Sequence, residues 1–210
     1  GVGMGAPHEA APANARPVGL EKPALQFGVD HDLCPGCGEP LALRCLLETI
    51  EELGCAKRAI GVIGIGCYTA LTPLMDVDLV QALHGRAPSV ATGVKRMRPD
   101  ALIFALQGDG DMVNEGLQEV LHTAARGESV TAVLLNNGEL GKISREQISA
   151  IRPVWQTDLI NPDFAAYAES CGGVGLRVTT RAELAPAFAA AMAVTGKPAL
   201  VEVHSSAQAV

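Results

Sequence analysis

From Gly38 onward the apolar residues Leu43, Leu46, Leu47, Ile50 and Leu53 fall on one helical stripe, and Pro40 suits a first turn. The rhythm then changes. Residues 59–65 read as a buried strand, 80–83 as a short one, and 90–97 as a helix that ends in the basic turn Lys95-Arg96-Arg98 before Pro99. Residues 101–107 form a short apolar run between Pro-Asp and Gly-Asp-Gly, as a central parallel strand would. A helix over 112–126 with the stripe Val113, Leu117, Val120, Leu121 and Ala124 follows, then a strand over 130–135. Asn161-Pro162 has the form of an N-cap with proline at the first helical position, and Thr180 with Glu183 has capping-box spacing. Those signals predict helices over 163–171 and 181–194, interleaved with strands over 174–178 and 199–203. The alternation implies an α/β fold, a doubly wound, mostly parallel sheet covered by helices on both faces. Residues 1–29 hold several prolines and no sustained period, and are expected to be an extended arm preceding one domain over 30–210.

Charge and composition narrow the function classes. Sixteen Lys and Arg against 23 Asp and Glu give a net charge of −7, which disfavours a nucleic-acid surface. No apolar run approaches the roughly 18–20 residues of a bilayer span, and the start lacks a basic, strongly apolar leader, so neither a membrane span nor a signal peptide is expected. Six cysteines without such a leader point to a reducing, cytoplasmic setting without disulfides.

The segment with the most chemistry is Gly108-Asp109-Gly110-Asp111, followed through Leu135 by a helix and strand and then by Asn136-Asn137-Gly138. A helix of about 15 residues advances roughly 23 Å, and a strand of about seven residues returns roughly 23 Å. Asp109 and Asn137 are therefore expected at the carboxyl ends of neighbouring parallel strands, where open α/β sheets bind ligands. A carboxylate, an amide oxygen and the main-chain carbonyl of Glu139 would make half of an octahedral oxygen shell suited to Mg²⁺. The amides of Gly110 and Asp111 open a helix whose positive end favours an anion, and a diphosphate suits both features.

The GDG-to-NN pattern resembles the thiamine diphosphate motif. The stretch from about residue 30 to Asn137, with His31-Asp32-Leu33-Cys34-Pro35-Gly36-Cys37-Gly38, Gly64-Ile65-Gly66-Cys67, His84-Gly85-Arg86-Ala87 and the GDGD run, resembles the β subunit of 2-oxoacid:ferredoxin oxidoreductases. From Asn136 to about Val203 the chain is more similar to the thiamine-binding domain of pyruvate oxidases and acetolactate synthases. Both resemblances imply the PP-type thiamine diphosphate fold. They place Mg²⁺ on Asp109, Asn137 and the Glu139 carbonyl, the diphosphate by Gly108, Gly110 and Asp111, and the cofactor border at Gly66, Cys67, His84 and Gly85. The activating glutamate of such enzymes belongs to a pyrimidine-binding domain that nothing here matches. The resemblance thus implies an α-type partner subunit in a hetero-oligomer.

In the ferredoxin-linked family the pair matching Cys34 and Cys37, a cysteine matching Cys67 and a fourth near the last strand ligate [4Fe–4S]. This sequence has Val203-His204-Ser205-Ser206 where the fourth is expected. His204, Cys171 or a partner is one source of a substitute ligand; a reduced, empty pair or zinc is the plainer alternative. Cys45 and Cys55 read as packing residues, His122 as a surface or packing histidine, and residues 142–156 as either a substrate-facing lid or an interface loop. His84 either bonds the diphosphate or caps local structure. The leading expectation is oxidative decarboxylation of a 2-oxoacid with CoA as acyl acceptor and ferredoxin as electron acceptor. The alternatives are a non-redox decarboxylase or carboligase subunit and a non-catalytic scaffold.

Overall fold

The computed structural model describes residues 31, 33, 34 and 36–205, so the arm expected over residues 1–29 lies outside the described residues. In chain order the elements are α1 (Glu39–Glu52), β1 (Ala59–Ile63), β2 (Asp78–Gln81), α2 (Ala87–Met97), β3 (Leu102–Gly108), α3 (Leu117–Ala125), β4 (Thr131–Asn136), α4 (Gly141–Ser149), α5 (Phe164–Ser170), β5 (Val174–Val178), α6 (Arg181–Met192) and β6 (Ala199–His204). The six strands pair in parallel in the order β2-β1-β3-β4-β6-β5. The chain steps outward from β1 to β2 and then crosses back to β3 and β4. Strand order therefore reverses between β1 and β3, which opens a crevice at their carboxyl ends.

Both faces of the sheet are covered because its central strands carry apolar side chains on both. Val133 and Leu135 join Leu43, Leu46 and Leu47 of α1 and Phe188 of α6 in the larger core, whereas Leu134 packs with Met112, Phe164 and Leu200 on the other face. A strand buried on both sides has no polar face, and this is why residues 132–135 read as an unbroken apolar run. Val62 and Ile103 with Ala87 and Ala91 seat α2 on the face opposite α1. The Thr180–Glu183 capping box forms as expected at the start of α6.

Three local expectations change. The single helix over 112–126 is instead a π-helical turn, Gly110–Asn114, followed by α3. The break falls where Gly116 meets Gly85 backbone to backbone: a Cβ on Gly116 would lie 2.5 Å from the Gly85 Cα. The break turns α3, so Leu117 and Leu121 are 39% and 40% exposed while Thr123 is buried. Asn161 is not an N-cap; Asp163 caps α5 by accepting the Ala166 amide at 2.9 Å, and Asn161 is used elsewhere. Residues 141–149, left inside a loop by the pattern, form α4, and Cys67–Leu74 forms a 3₁₀ segment. Among the described residues no helix is long and apolar enough to cross a membrane.

Packing of α5 on β5 gives a direct stability test. A Cβ on Gly175 would sit 2.0 Å from the Ala165 carbonyl oxygen. Gly175→Ala is expected to lower unfolding free energy by about 1–3 kcal/mol through overpacking, read as a lower urea midpoint at an unchanged slope.

Candidate functional site

Gly108 of β3 is level with Leu135 of β4, so Asp109 leaves the sheet beside Asn136 and the turn that follows it. The Asp109 carboxylate is buried. Its Oδ2 accepts the Gly138 amide at 2.9 Å and Asn161 Nδ2 at 2.7 Å, and its Oδ1 accepts the Gly110 amide at 3.0 Å. Burial raises the Asp109 pKa against the lowering effect of these bonds. A carboxylate offers about four lone-pair sites. Among the described residues three of those on Asp109 are used, leaving Oδ1 one site for a cation.

Asn161 also donates to Asn136 Oδ1 at 2.9 Å, and Asn136 Nδ2 donates to Glu202 Oε1 at 2.8 Å. Glu202 is fully buried in β6, and its second oxygen accepts the Ala165 amide of α5 at 3.1 Å. This relay ties the tips of β3, β4 and β6 to α5. Asn161 and Glu202 were not identified from sequence. Asn161 lies 52 positions from Asp109, and a glutamate within a strand gives no pattern signal of its own. The side chain of Asn137 turns on its own loop, where Oδ1 accepts the Glu139 amide at 3.1 Å.

The other aspartate of the run is placed differently. Asp111 Oδ2 accepts Tyr68 Oη and Gln107 Nε2, each at 3.0 Å, while Oδ1 accepts the Gly85 amide at 2.8 Å and pairs with His84 Nδ1 at 3.0 Å. Four donors occupy its four sites, so this side chain organises the wall and has none left for a metal. Burial and the Asp111 charge push the Tyr68 hydroxyl far above its ordinary range, keeping it a donor. Gly66, Cys67, His84, Gly108, Asp109, Gly110, Asp111, Asn137 and Glu139 all line one cavity of about 440 Å³. Gly85 adjoins it through the amide that Asp111 accepts. The sequence prediction thus converges on one place.

That cavity is strongly acidic. Glu39, Asp109, Asp111, Glu115, Glu139 and Glu146 line it against Lys142. An anionic guest would meet repulsion unless a divalent cation enters with it. Glu39, at the start of α1, was also not singled out from sequence. Its Oε2 is buried without a hydrogen-bond partner among the described residues, and burial followed by the Asp109 charge raises its pKa to about 7.

Cys34 and Cys37 close a turn in which the Cys37 amide donates to the Cys34 carbonyl at 3.0 Å. Cys67 is near enough to feel both thiols, and burial, then Glu39, then these thiols push its pKa to about 11. Ser205, after the last strand, abuts the same turn; its Cβ lies 3.1 Å from where a Cβ on Gly38 would be. His204 is engaged by Glu202 and Arg177, and Cys171 lines an apolar slot beside Tyr167. Among the described residues no three or more His, Cys, Asp or Glu side chains form a metal-holding group. Four thiolates for [4Fe–4S] are not assembled by these residues.

Glu39 generates a pH test. The folded chain holds its proton up to about pH 7, whereas an ordinary glutamate releases it near 4.5. Folded protein therefore binds more protons across that window, and stability falls as pH rises through it. Without cofactor or divalent cation, Glu39→Gln is expected to flatten this decline by on the order of a few kcal/mol, read by urea unfolding at pH 4.5 and 7.5.

Comparison with known proteins agrees with this geometry. Residues 55–203 match the family model of the thiamine pyrophosphate enzyme C-terminal TPP-binding domain. The chain is 38% identical over 108 residues to the ketoisovalerate oxidoreductase subunit VorA of Methanothermobacter thermautotrophicus, covering 51% of this chain and 23% of that one. It is 33% identical over 136 residues to the 2-oxoglutarate synthase subunit KorB of Methanocaldococcus jannaschii, covering 62% of this chain and 50% of that one. These alignments span half or less of the relatives' length. A solved 2-oxoglutarate:ferredoxin oxidoreductase from Magnetococcus marinus, bound to 2-oxoglutarate, coenzyme A and succinyl-CoA, superposes with a TM-score of 0.73 at 25% identity. That likeness covers 90% of this chain and 68% of the solved one. With the parallel sheet, the acidic crevice and the Asp109–Gly138 contact in place, the chain belongs to the thiamine pyrophosphate enzyme family as its C-terminal TPP-binding domain.

Proposed function

We propose that this chain is the β-type subunit of a 2-oxoacid oxidoreductase, binding thiamine diphosphate through Mg²⁺, oxidatively decarboxylating a 2-oxoacid to acyl-CoA and delivering electrons to ferredoxin. The observation that carries the cofactor part is the open site on a buried, otherwise satisfied Asp109 in a cavity whose acidity calls for a cation. Asp109, Asn137 and the Glu139 carbonyl would hold Mg²⁺, an oxygen set suited to that ion. The cavity wall is packed tightly at its glycines: a Cβ on Gly110 would approach Leu140 Cδ2 to 2.6 Å, and one on Gly66 would meet the Tyr68 ring at 2.4 Å. When bound, thiamine diphosphate supplies a carbon nucleophile and an electron sink for decarboxylation. The chain's own residues anchor the diphosphate end, exclude bulk water with the Tyr68 wall, and fix Asp109 through Asn161.

The substrate and acceptor parts are supported by the names of the relatives. The partner part is supported by a surface beside the cavity. Ile148, Ile151 and Trp155 are exposed on α4 and the segment after it, with Ile151 and Gln156 held at positive φ of 54° and 58°. An exposed apolar patch of this kind marks an interaction site, and an α-type subunit with the pyrimidine domain is its occupant in this reading. The six cysteines are all free thiols.

One observation favours a second, non-redox reading: Ser205 stands beside the Cys34–Cys37 turn where a fourth thiolate would be needed. Iron and sulfide analysis of the full chain, purified anaerobically, is expected to give fewer than four irons per chain. Dye reduction by the chain reconstituted with its partner and a 2-oxoacid is expected under the redox reading; aldehyde or acyloin release without dye reduction would replace it.

Calorimetric titration of the full chain with thiamine diphosphate and Mg²⁺ tests the cofactor site. Binding is expected for wild type and its loss for Asp109→Ala. Asn161→Ala, which frees Asp109 without touching the ion, is expected to weaken binding by about 10–100-fold. Wild-type affinity in Asp109→Ala would reject the assignment.

A further inference from the structure

Asp111 draws together two loops distant in sequence and the end of the strand that precedes it. Gly64 lies so close that an added Cβ would fall 1.9 Å from its Oδ2, and Tyr68, after the same loop, donates to that oxygen. Gln107 donates from the end of β3. The third segment is His84-Gly85, which approaches Oδ1 with both a main-chain amide and an imidazole nitrogen.

This last contact has a chemical consequence. Gly85 is at φ 70°, and a Cβ there would lie 2.3 Å from the Glu115 carbonyl, so the loop has little freedom to slide. Tyr68 and Gln107 satisfy Oδ2, and Oδ1 faces the Gly85 amide and His84 Nδ1. A carboxylate among donors accepts from its imidazole neighbour, so the shared proton belongs on Nδ1. Which ring nitrogen is free is then set by the bond made by the other. His84 is half-exposed, and it lines the cavity.

We propose that Asp111 is a positioning residue: it fixes His84 with the proton on Nδ1 and presents Nε2 to the molecule bound in the cavity. The proposal rests on reading that cavity as the thiamine diphosphate site, and it assigns the GDGD aspartates separate tasks. Asp109 faces the ion. Asp111 acts through His84, whose Nε2 accepts a hydrogen bond when the ring is neutral and donates one to a phosphate oxygen when it is protonated.

The test has two readouts. In the ¹⁵N-labelled full chain without cofactor, at a pH where imidazole is neutral, His84 is expected to show a pyrrole-type Nδ1 and a pyridine-type Nε2. Tyr68→Phe, which removes one donor to Oδ2 and leaves the Oδ1 contact, should retain that pattern. A proton on Nε2, or the tautomer mixture of free imidazole, would overturn the proposal whether or not any variant folds. The second readout is calorimetric affinity for thiamine diphosphate with Mg²⁺. His84→Asn should weaken binding by about 10–100-fold. In Asp111→Asn, which also loses acceptor contacts to Tyr68, Gln107 and Gly85, the fixed Nδ1–H pattern of His84 should give way to a tautomer mixture. Wild-type affinity in His84→Asn, or an unchanged tautomer in Asp111→Asn, would also overturn it. Failure of wild type to bind the cofactor would reject the function above while leaving the tautomer result to be judged separately.

Discussion

The site depends on keeping one buried carboxylate acceptor-rich at the tips of two parallel strands. Taking Asp109 out of water is costly unless donors replace the lost hydration, and the Gly110 amide, the Gly138 amide and Asn161 provide three. Those donors belong to different segments, so satisfying the charge also fixes the β3 tip against the β4 turn. Asn161 carries the constraint onward through Asn136 to Glu202, and Glu202 reaches α5. The rigidity of the Asp109 carboxylate is therefore a property of four elements, and the aspartate proposed to meet the ion is the end of a relay.

A second carboxylate solves a different problem two residues later. The loops after β1 and β2 have no sheet partner to hold their ends, yet both must border the crevice. Asp111 collects donors from both and from β3, and the contact between Gly85 and Gly116 locks the arrangement from behind. The same contact interrupts the helix after β3. A local break in regular structure and the ordering of the cavity wall thus have one cause.

The charge of the cavity bears on what it would take. With Lys142 the one lysine or arginine among its lining residues, the cavity would repel a bare diphosphate and would accept more readily one neutralised by a divalent ion. The neighbouring apolar surface at Ile151 and Trp155 gives the same site a side suited to protein, so in the proposed reading ion, coenzyme and partner would meet at the carboxyl end of the sheet.

The alternation of elements was legible from sequence because periodicity reports burial: strands apolar on both faces and helices with one stripe follow directly from packing against a sheet. The 25 positions from Asp111 through Leu135 gave away the meeting of the Asp109 and Asn136–Gly138 segments, since helix rise and strand rise set the length of a βα return. Local pattern was misleading at residues 112–126, where a Gly–Gly contact with a distant loop overrode an intact helical stripe. It also failed at Asn161, whose cap-like neighbourhood concealed a hydrogen bond to Asp109. Sequence alone determined the fold class and the pair of strand tips that meet at Asp109 and Gly138. The tertiary structure decided which aspartate is left with a free acceptor site and which is saturated, because that depends on donors brought from positions 68, 84, 85 and 161, and no local rule registers contacts made across such distances.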